Sequence, residues 1–370
     1  MENVLIVGQT PPPVYGQAVM IQELLEGEYE GIQLHYVRME FSRSIDEVGI
    51  FHLRKLLVLL TTLAKIIVGR WKSHAEILYY PPAGPKIIPV IRDIVLLIGT
   101  RWMFRYTVFH FHAAGLPEIY PSLPPVLKLL YNVAYRKADL AIFTTKSTSS
   151  AGSELEAKTV TVIPNGIPDR GEGHTPHDRR AGSEVPCILF MGNLCEGKGL
   201  LTLIEACSLL KKAGLSFRVV CAGTHDSDSF RGVMEELIEK HGLANVISFP
   251  GVLRGEDNWN AFKNADIFCL PSHYYAESFP LVLIEAMSFQ LPIVTTNWRG
   301  IPDGVGGSGG AFVVEPKEPK LLAESLESLL RDSDLRATMG RKNRAWFCDH
   351  YTIEKYRERM ERALLEIRTL

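Results

Sequence analysis

Residues 267–296 read IFCLPSHYYAESFPLVLIEAMSFQLPIVTT. Two apolar runs, at 267–272 and 292–296, enclose a polar loop and a longer apolar stretch that opens behind Pro280. Strand, helix and strand in that order make a βαβ unit, whose strands run parallel with the helix laid across one face. Proline is favoured at the first helical position, where its missing N–H leaves no bond unmade and its fixed φ suits the turn. The helix is therefore expected to begin at Ser278 to Pro280. Glu277 then stands just before the helix and Glu285 on its second turn. The free N–H groups and positive dipole end beside them attract anions. An anionic ligand with hydroxyls on either side of its charge fits that arrangement, and a nucleotide sugar is such a ligand.

The same rhythm extends along the whole chain. Strands are expected at 4–8, 32–37, 76–81, 106–112, 140–145 and 160–166 in the first half. In the second half they are expected at 187–193, 217–223, 246–252, 267–272, 292–296 and 311–315. Helical patterns between them predict an α/β fold with two Rossmann-like, doubly wound parallel sheets, each covered by helices on both faces. Ligands of such sheets bind outside the carboxyl ends of the strands, so two domains facing a central cleft would hold the chemistry between them. The stretch PDRGEGHTPHDRRAGSEVP, Pro168 to Pro186, has seven charged residues and little to bury, and reads as a linker. Domains are accordingly expected over 1–175 and 176–348. The remaining 349–370 hold an amphipathic helix, TIEKYRERMERALLEIRTL, able to pack on either.

Composition removes several function classes. With 370 residues, 46% hydrophobic and 22% charged, the chain is an ordinary globular sequence long enough for two cores. A formal net charge of −2 lacks the basic excess of a nucleic-acid binder. The opening MENVLIVG reads as a strand and has no secretory pattern, which predicts a cytoplasmic location. The six cysteines have neither zinc-site nor disulfide-framework spacing and are expected to be reduced thiols.

In its second half the chain resembles the family-4 retaining glycosyltransferases. ESFPLVLIEAM (277–287) is similar to that family's E-x7-E signature and FMGNLCEGKGL (190–200) to its phosphate loop. TVIPNGI (161–167) resembles the segment closing the first domain, and TNWRGIPDGV (296–305) the turn after the signature helix. The resemblance implies the GT-B fold, with the last helix crossing back to an acceptor-side first domain. It also implies transfer of a sugar from a nucleoside diphosphate donor, a UDP-sugar before a GDP-sugar, without metal or other cofactor. The acceptor would be a hydroxyl of a glycan or lipid-linked molecule in surface polysaccharide or glycolipid assembly.

Position by position, the resemblance assigns the donor ribose to Glu285 and the hydroxyls of the transferred sugar to Glu277, with Ser278 and Phe279 in the same donor segment. Backbone N–H groups of Leu281 and Val282 would meet the diphosphate, and Lys198 would neutralise the charge growing on it. The base would lie near Val252 to Arg254. Asn193 stands where the family has an arginine, Pro280 where it has a glycine, and Arg299 at the first of two paired glycines. In the first domain Gly16 would let backbone approach a phosphate or acceptor, and His112, placed further along its strand than His110, is the candidate to bond the donor sugar or place the acceptor. His112, Glu277 and Lys198 are the candidate catalytic residues.

Plainer readings stand beside these. Two glutamates bracketing a helix are, without the other motifs, usually solvated end residues. Asp226 and Asp228 look like a metal-binding D-x-D but sit where aspartates and serines cap a helix. LRKLLVLLTTLAKIIVGRWK (53–72) is interrupted by charge too often to span a bilayer, and reads either as a helix packed on the first sheet or as one lying on an anionic membrane surface. The competing functions are a nucleotide-sugar epimerase of the same fold and a non-catalytic nucleotide-sugar-binding scaffold.

Overall fold

A computed structural model describes residues 1–41, 53–174 and 185–369. The chain divides into two compact units, Met1–Gly166 together with Ile353–Leu370, and Ile167–Thr352.

In the first unit, β1 (Glu2–Gly8), α1 (Gly16–Leu25), β2 (Ile32–Arg38), α2 (Leu53–Ser73), β3 (Ile77–Tyr80) and α3 (Ile87–Thr100) follow one another. A short turn, Arg101–Met103, leads to β4 (Tyr106–Phe111), α4 (Pro125–Tyr135), β5 (Leu140–Phe143), α5 (Ser150–Glu154) and β6 (Thr159–Val162). The strands form one sheet in the order β2-β1-β3-β4-β5-β6, all pairs parallel. Strands β3 and β5 are buried at every position, the mark of a sheet covered on both faces. A buried carboxylate anchors α3: Asp93 accepts from Tyr80 Oη at 2.6 Å, from Ala83 N at 2.8 Å and from Arg92 Nη2 at 2.6 Å. Helix α2 buries Thr62 and Ile66 and packs Val58, Leu59 and Leu63 against the core, so its inner face serves the sheet.

The second unit repeats the plan with β7 (Cys187–Met191), α6 (Leu200–Lys212), β8 (Arg218–Ala222), α7 (Asp228–Lys240), β9 (Ile247–Gly251) and α8 (Glu256–Lys263). It continues through β10 (Ile267–Leu270), α9 (Leu281–Ser288), β11 (Ile293–Thr296), α10 (Ile301–Val305), β12 (Ala311–Val314), α11 (Pro319–Arg331) and α12 (Ser333–His350). The sheet order is β12-β11-β10-β7-β8-β9, all parallel. Because β7 and β10 are neighbours while the chain leaves them in opposite directions, their carboxyl ends form the switch point where open sheets bind ligands.

The division differs from the sequence reading at both ends of this unit. Residues 167–174 belong to the second unit, ahead of the expected boundary at 175/176. Arg344 holds Asp169 through two bonds of 2.6 Å, Gln290 Nε2 donates to His174 O at 2.9 Å, and a side chain on Gly171 would meet Ser288 O at 2.0 Å. Asp349 to Thr352 stay with the second unit as well, where Tyr351 Oη donates to Gly304 O at 2.9 Å. The final helix, α13 (Ile353–Glu366), belongs to the first unit. Glu361 Oε1 accepts from Gly31 N at 2.6 Å, Arg357 Nε donates to Glu23 O at 3.0 Å, and Ile353, Tyr356, Met360 and Leu364 are buried.

All six cysteines are free thiols, and burial pushes those of Cys207, Cys221 and Cys269 above their ordinary range. Among the described residues no helix is long and apolar enough to cross a membrane.

Candidate functional site

At the switch point of the second sheet, the loop after β7 and the loop after β10 fold against each other. Gly199 has φ +79°, and a side chain there would meet Pro271 O at 2.0 Å, so only glycine lets the first loop sit this close. His273 N donates to Gly197 O at 2.7 Å and locks the two together. This contact brings Lys198 Nζ to 2.6 Å from Glu277 Oε2, with both side chains largely withdrawn from solvent. Ser272 Oγ donates to the same carboxylate oxygen at 2.7 Å, and Lys198 lies 5.3 Å above the Tyr274 ring. Trp298 Nε1 in turn donates to Tyr274 O at 2.8 Å, and Thr296 donates to Ser272 O.

The helix behind Glu277 begins one residue later than expected. Pro280 is its cap, with φ −63° and ψ 125°, because the extended ψ keeps the proline outside the first turn. Leu281 and Val282 are the first two helical residues, and Leu283 N is the first to turn back, to Pro280 O at 3.2 Å. Glu285, one turn on, is half-buried, and its carboxylate has no protein partner among the described residues. Desolvation pushes it up to about 7. Ser278 and Phe279 are buried, the latter packed edge-on to Tyr351 and filling the space a side chain on Gly304 would need.

The remaining candidates of this unit are spread further. Asn193 is exposed, and its main-chain carbonyl accepts from Cys195 N at 3.0 Å. Val252 and Arg254 are exposed in the loop after β9, two strands away from β7. Arg299 has φ +48° and lies 5.8 Å over the Trp298 ring, a left-handed backbone that the usual glycine would adopt without strain. Ser227 caps α7 by accepting from Phe230 N at 3.2 Å, with Asp228 on the first turn. Among the described residues no group of three His, Cys, Asp or Glu side chains is placed to hold a metal.

In the first unit Gly16 is the exposed first residue of α1. His110 is fully buried on β4, its Nδ1 2.7 Å from Tyr79 Oη. His112 lies just past the strand end with its ring 4.0 Å from that of His110. Neither ring nitrogen of His112 has a partner, and desolvation drives its pKa down to about 3. It is a neutral imidazole with one donor and one acceptor unspent.

Residues 176–346 match the group 1 glycosyl transferases. Among curated proteins the chain is similar to CapM of Staphylococcus aureus, a capsular polysaccharide biosynthesis glycosyltransferase, at 28% identity over 157 residues, covering 42% of this chain and 40% of that protein. It is also similar to the D-inositol 3-phosphate glycosyltransferase of Paenarthrobacter aurescens, at 31% over 159 residues, covering 42% and 38%. The chain thus spans about two fifths of the length of these relatives. Over its whole length it has the GT-B fold of sucrose-phosphate synthase from Thermosynechococcus elongatus, with a TM-score of 0.75, 16% identity and 100% of both chains covered. HepE of Anabaena, solved with UDP and glucose, matches at a TM-score of 0.74 and 17% identity over 98% of this chain and 99% of that one.

The second unit holds Lys198, Glu277, Leu281, Val282 and Glu285, all within the matched segment, while Gly16 and His112 belong to the other unit. Sequence reasoning missed Ser272, Tyr274 and Trp298. Serine and tyrosine in a loop carry no distinctive signal, and their roles appear only once the loop is folded over Glu277.

Proposed function

We propose that the protein is a glycosyltransferase moving a sugar from a nucleoside diphosphate donor to a hydroxyl of a glycan or lipid-linked acceptor in surface polysaccharide or glycolipid assembly. A UDP-sugar is the favoured donor and a GDP-sugar the second. The observation that carries this reading is the helix start of α9, with a lysine–glutamate pair on one side and an unpartnered carboxylate one turn away. The N–H groups of the first turn and the positive end of the helix suit the diphosphate, and Lys198 suits the charge that grows on it as the glycosidic bond breaks. Among the described residues no side chain or backbone group donates to the Glu285 carboxylate, and a ribose diol supplies donors. Glu277, held by Lys198 and Ser272, keeps lone pairs for hydroxyls of the transferred sugar.

The reaction we infer retains anomeric configuration and needs no metal. The acceptor oxygen bonds to the anomeric carbon on the face from which the diphosphate departs, and the acceptor proton passes to the leaving phosphate oxygen. Neutral His112, with both ring nitrogens free, suits a hydroxyl of the donor sugar or acceptor.

Thermal shift with UDP, GDP, ADP and NAD tests the donor site. At about a hundred times the dissociation constant a single-site ligand stabilises by about 2.7 kcal/mol. One nucleoside diphosphate is expected to raise the melting temperature of the wild type and not of Glu285→Ala. A shift with NAD alone, or with none of the four, refutes the assignment. Incubation with donor alone separates a transferase, which leaves the sugar unchanged or slowly hydrolyses it, from an epimerase, which converts it.

A further inference from the structure

We propose that the outer face of α2, α3, the Arg101–Met103 turn and α4 docks on the surface of an anionic lipid bilayer. On α2 the exposed positions Leu57, Leu60, Val68 and Trp71 recur at helical spacing, so the stripe that faces water is apolar. Soluble helices place their polar face there. On α3 the exposed stripe is Ile87, Ile91 and Val95, and on α4 it is Val126, Leu129 and Val133. Helix α3 packs against both of the others, so the three stripes lie on one side of the unit.

The helices run the same way and their ends are tied together. Arg70 Nε on α2 donates to Met103 O at 3.0 Å, and Arg101 Nη1 donates to Ala134 O at 3.0 Å and Arg136 O at 2.6 Å. At that end Trp71 is 67% exposed and Trp102 is 76% exposed. Two indoles standing in water on one edge of an apolar face are the residues that settle at a membrane interface, one part apolar and one part hydrogen-bonding.

The charge selects the occupant. Leu53–Ser73 contains five basic residues and no acidic one, and Pro125–Tyr135 contains Lys128 and no acidic one. The only carboxylate of α3, Asp93, is fully buried and bonded to Arg92. The three helices therefore present apolar stripes and no exposed carboxylate of their own, with Lys65 and Lys72 exposed on α2 and Lys65 3.9 Å from Glu40 outside the helices, on a chain whose net charge is −2. That combination matches phospholipid headgroups of negative charge over acyl chains. Among the described residues no helix is long and apolar enough to cross a bilayer, so the docking proposed is at its surface.

Sedimentation with vesicles tests this without nucleotide, and so independently of the donor-site reading. The wild type is expected to pellet with equimolar phosphatidylcholine and phosphatidylglycerol, far less with phosphatidylcholine alone, and to be released by high salt. Trp71→Ser/Trp102→Ser is expected to weaken partitioning roughly tenfold or more. Lys65→Glu/Lys72→Glu, also at exposed positions, is expected to do the same by charge. Unchanged melting temperatures establish that each variant is folded. The proposal falls if the wild type stays in the supernatant with both vesicles, or if both folded variants bind as the wild type does. It falls too if the wild type forms a lipid-independent dimer that Trp71→Ser/Trp102→Ser dissolves while no vesicle is bound, since a second copy would then cover the face.

Discussion

Glu285 is the residue whose chemistry is most exposed to test. Burial raises its pKa from 4.5 to about 7, so the folded chain holds this proton more tightly than the unfolded chain. Stability from this group is present below about pH 4.5 and is lost as pH rises towards 7. Glu285→Gln is therefore expected to be more stable than the wild type above pH 7 by roughly 1–3 kcal/mol, with the gap closing towards pH 5. Denaturant melts across that range check it, and parallel curves would remove desolvation as the cause. An ionised carboxylate accepts from hydroxyls more strongly than a protonated one, so the stabilisation by the effective nucleotide should also grow from pH 6 to 8 more steeply in the wild type than in Glu285→Gln. His112, held down to about 3 by burial, adds a slope of the opposite sign below about pH 6.5, where the unfolded chain takes up a proton that the folded chain does not, and this slope cancels in the comparison of wild type with Glu285→Gln.

At the scale of elements, the site is a product of two loops meeting, and Gly199 is the point of contact. Gly199→Ala places a side chain on a left-handed residue and against Pro271 O. The expected cost is roughly 1–3 kcal/mol, a fall of several degrees in melting temperature. Lys198 is its immediate neighbour, so kcat should drop as well, while a surface substitution of equal cost to stability should leave kcat unchanged. A variant that melts and turns over like the wild type would show that the loop tolerates a wider approach. The apolar alternation and Pro280 made the βαβ unit legible from the amino acids alone. Family resemblance assigned Lys198 and Glu277 each to the donor, but their pairing, 79 residues apart, was not legible, because no local pattern records which loops meet.

At the scale of the molecule, α13 belongs to a unit whose remaining sequence ends at Gly166. Ile353, Tyr356, Met360, Leu364 and Ile367 are all buried, and at about 2 kcal/mol each their burial rivals the roughly 5–15 kcal/mol stability of a whole domain. Truncation after Thr352 is expected to unfold the first unit and leave the second with its own calorimetric transition. Retention of two native transitions would mean that α13 is a dispensable strap. Its amphipathic pattern is plain in sequence, yet that pattern fits either domain. The choice is made by three-dimensional partners, Glu361 with Gly31 and Arg357 with Glu23, more than 300 residues apart.

Two parallel sheets, their strands and the order of helices between them were readable from the chain because burial on both faces forces near-continuous apolar runs, and runs of that kind are local. The helix start beside Glu277 was readable for the same reason, since proline restricts its own turn. The boundary at 166/167, the Ser272 and Tyr274 supports of the lysine–glutamate pair, and the apolar outer face shared by α2, α3 and α4 were not readable. Each depends on which surface a residue faces after distant segments pack, and a one-dimensional pattern shows that a helix is apolar without showing which of its apolar stripes is left in water.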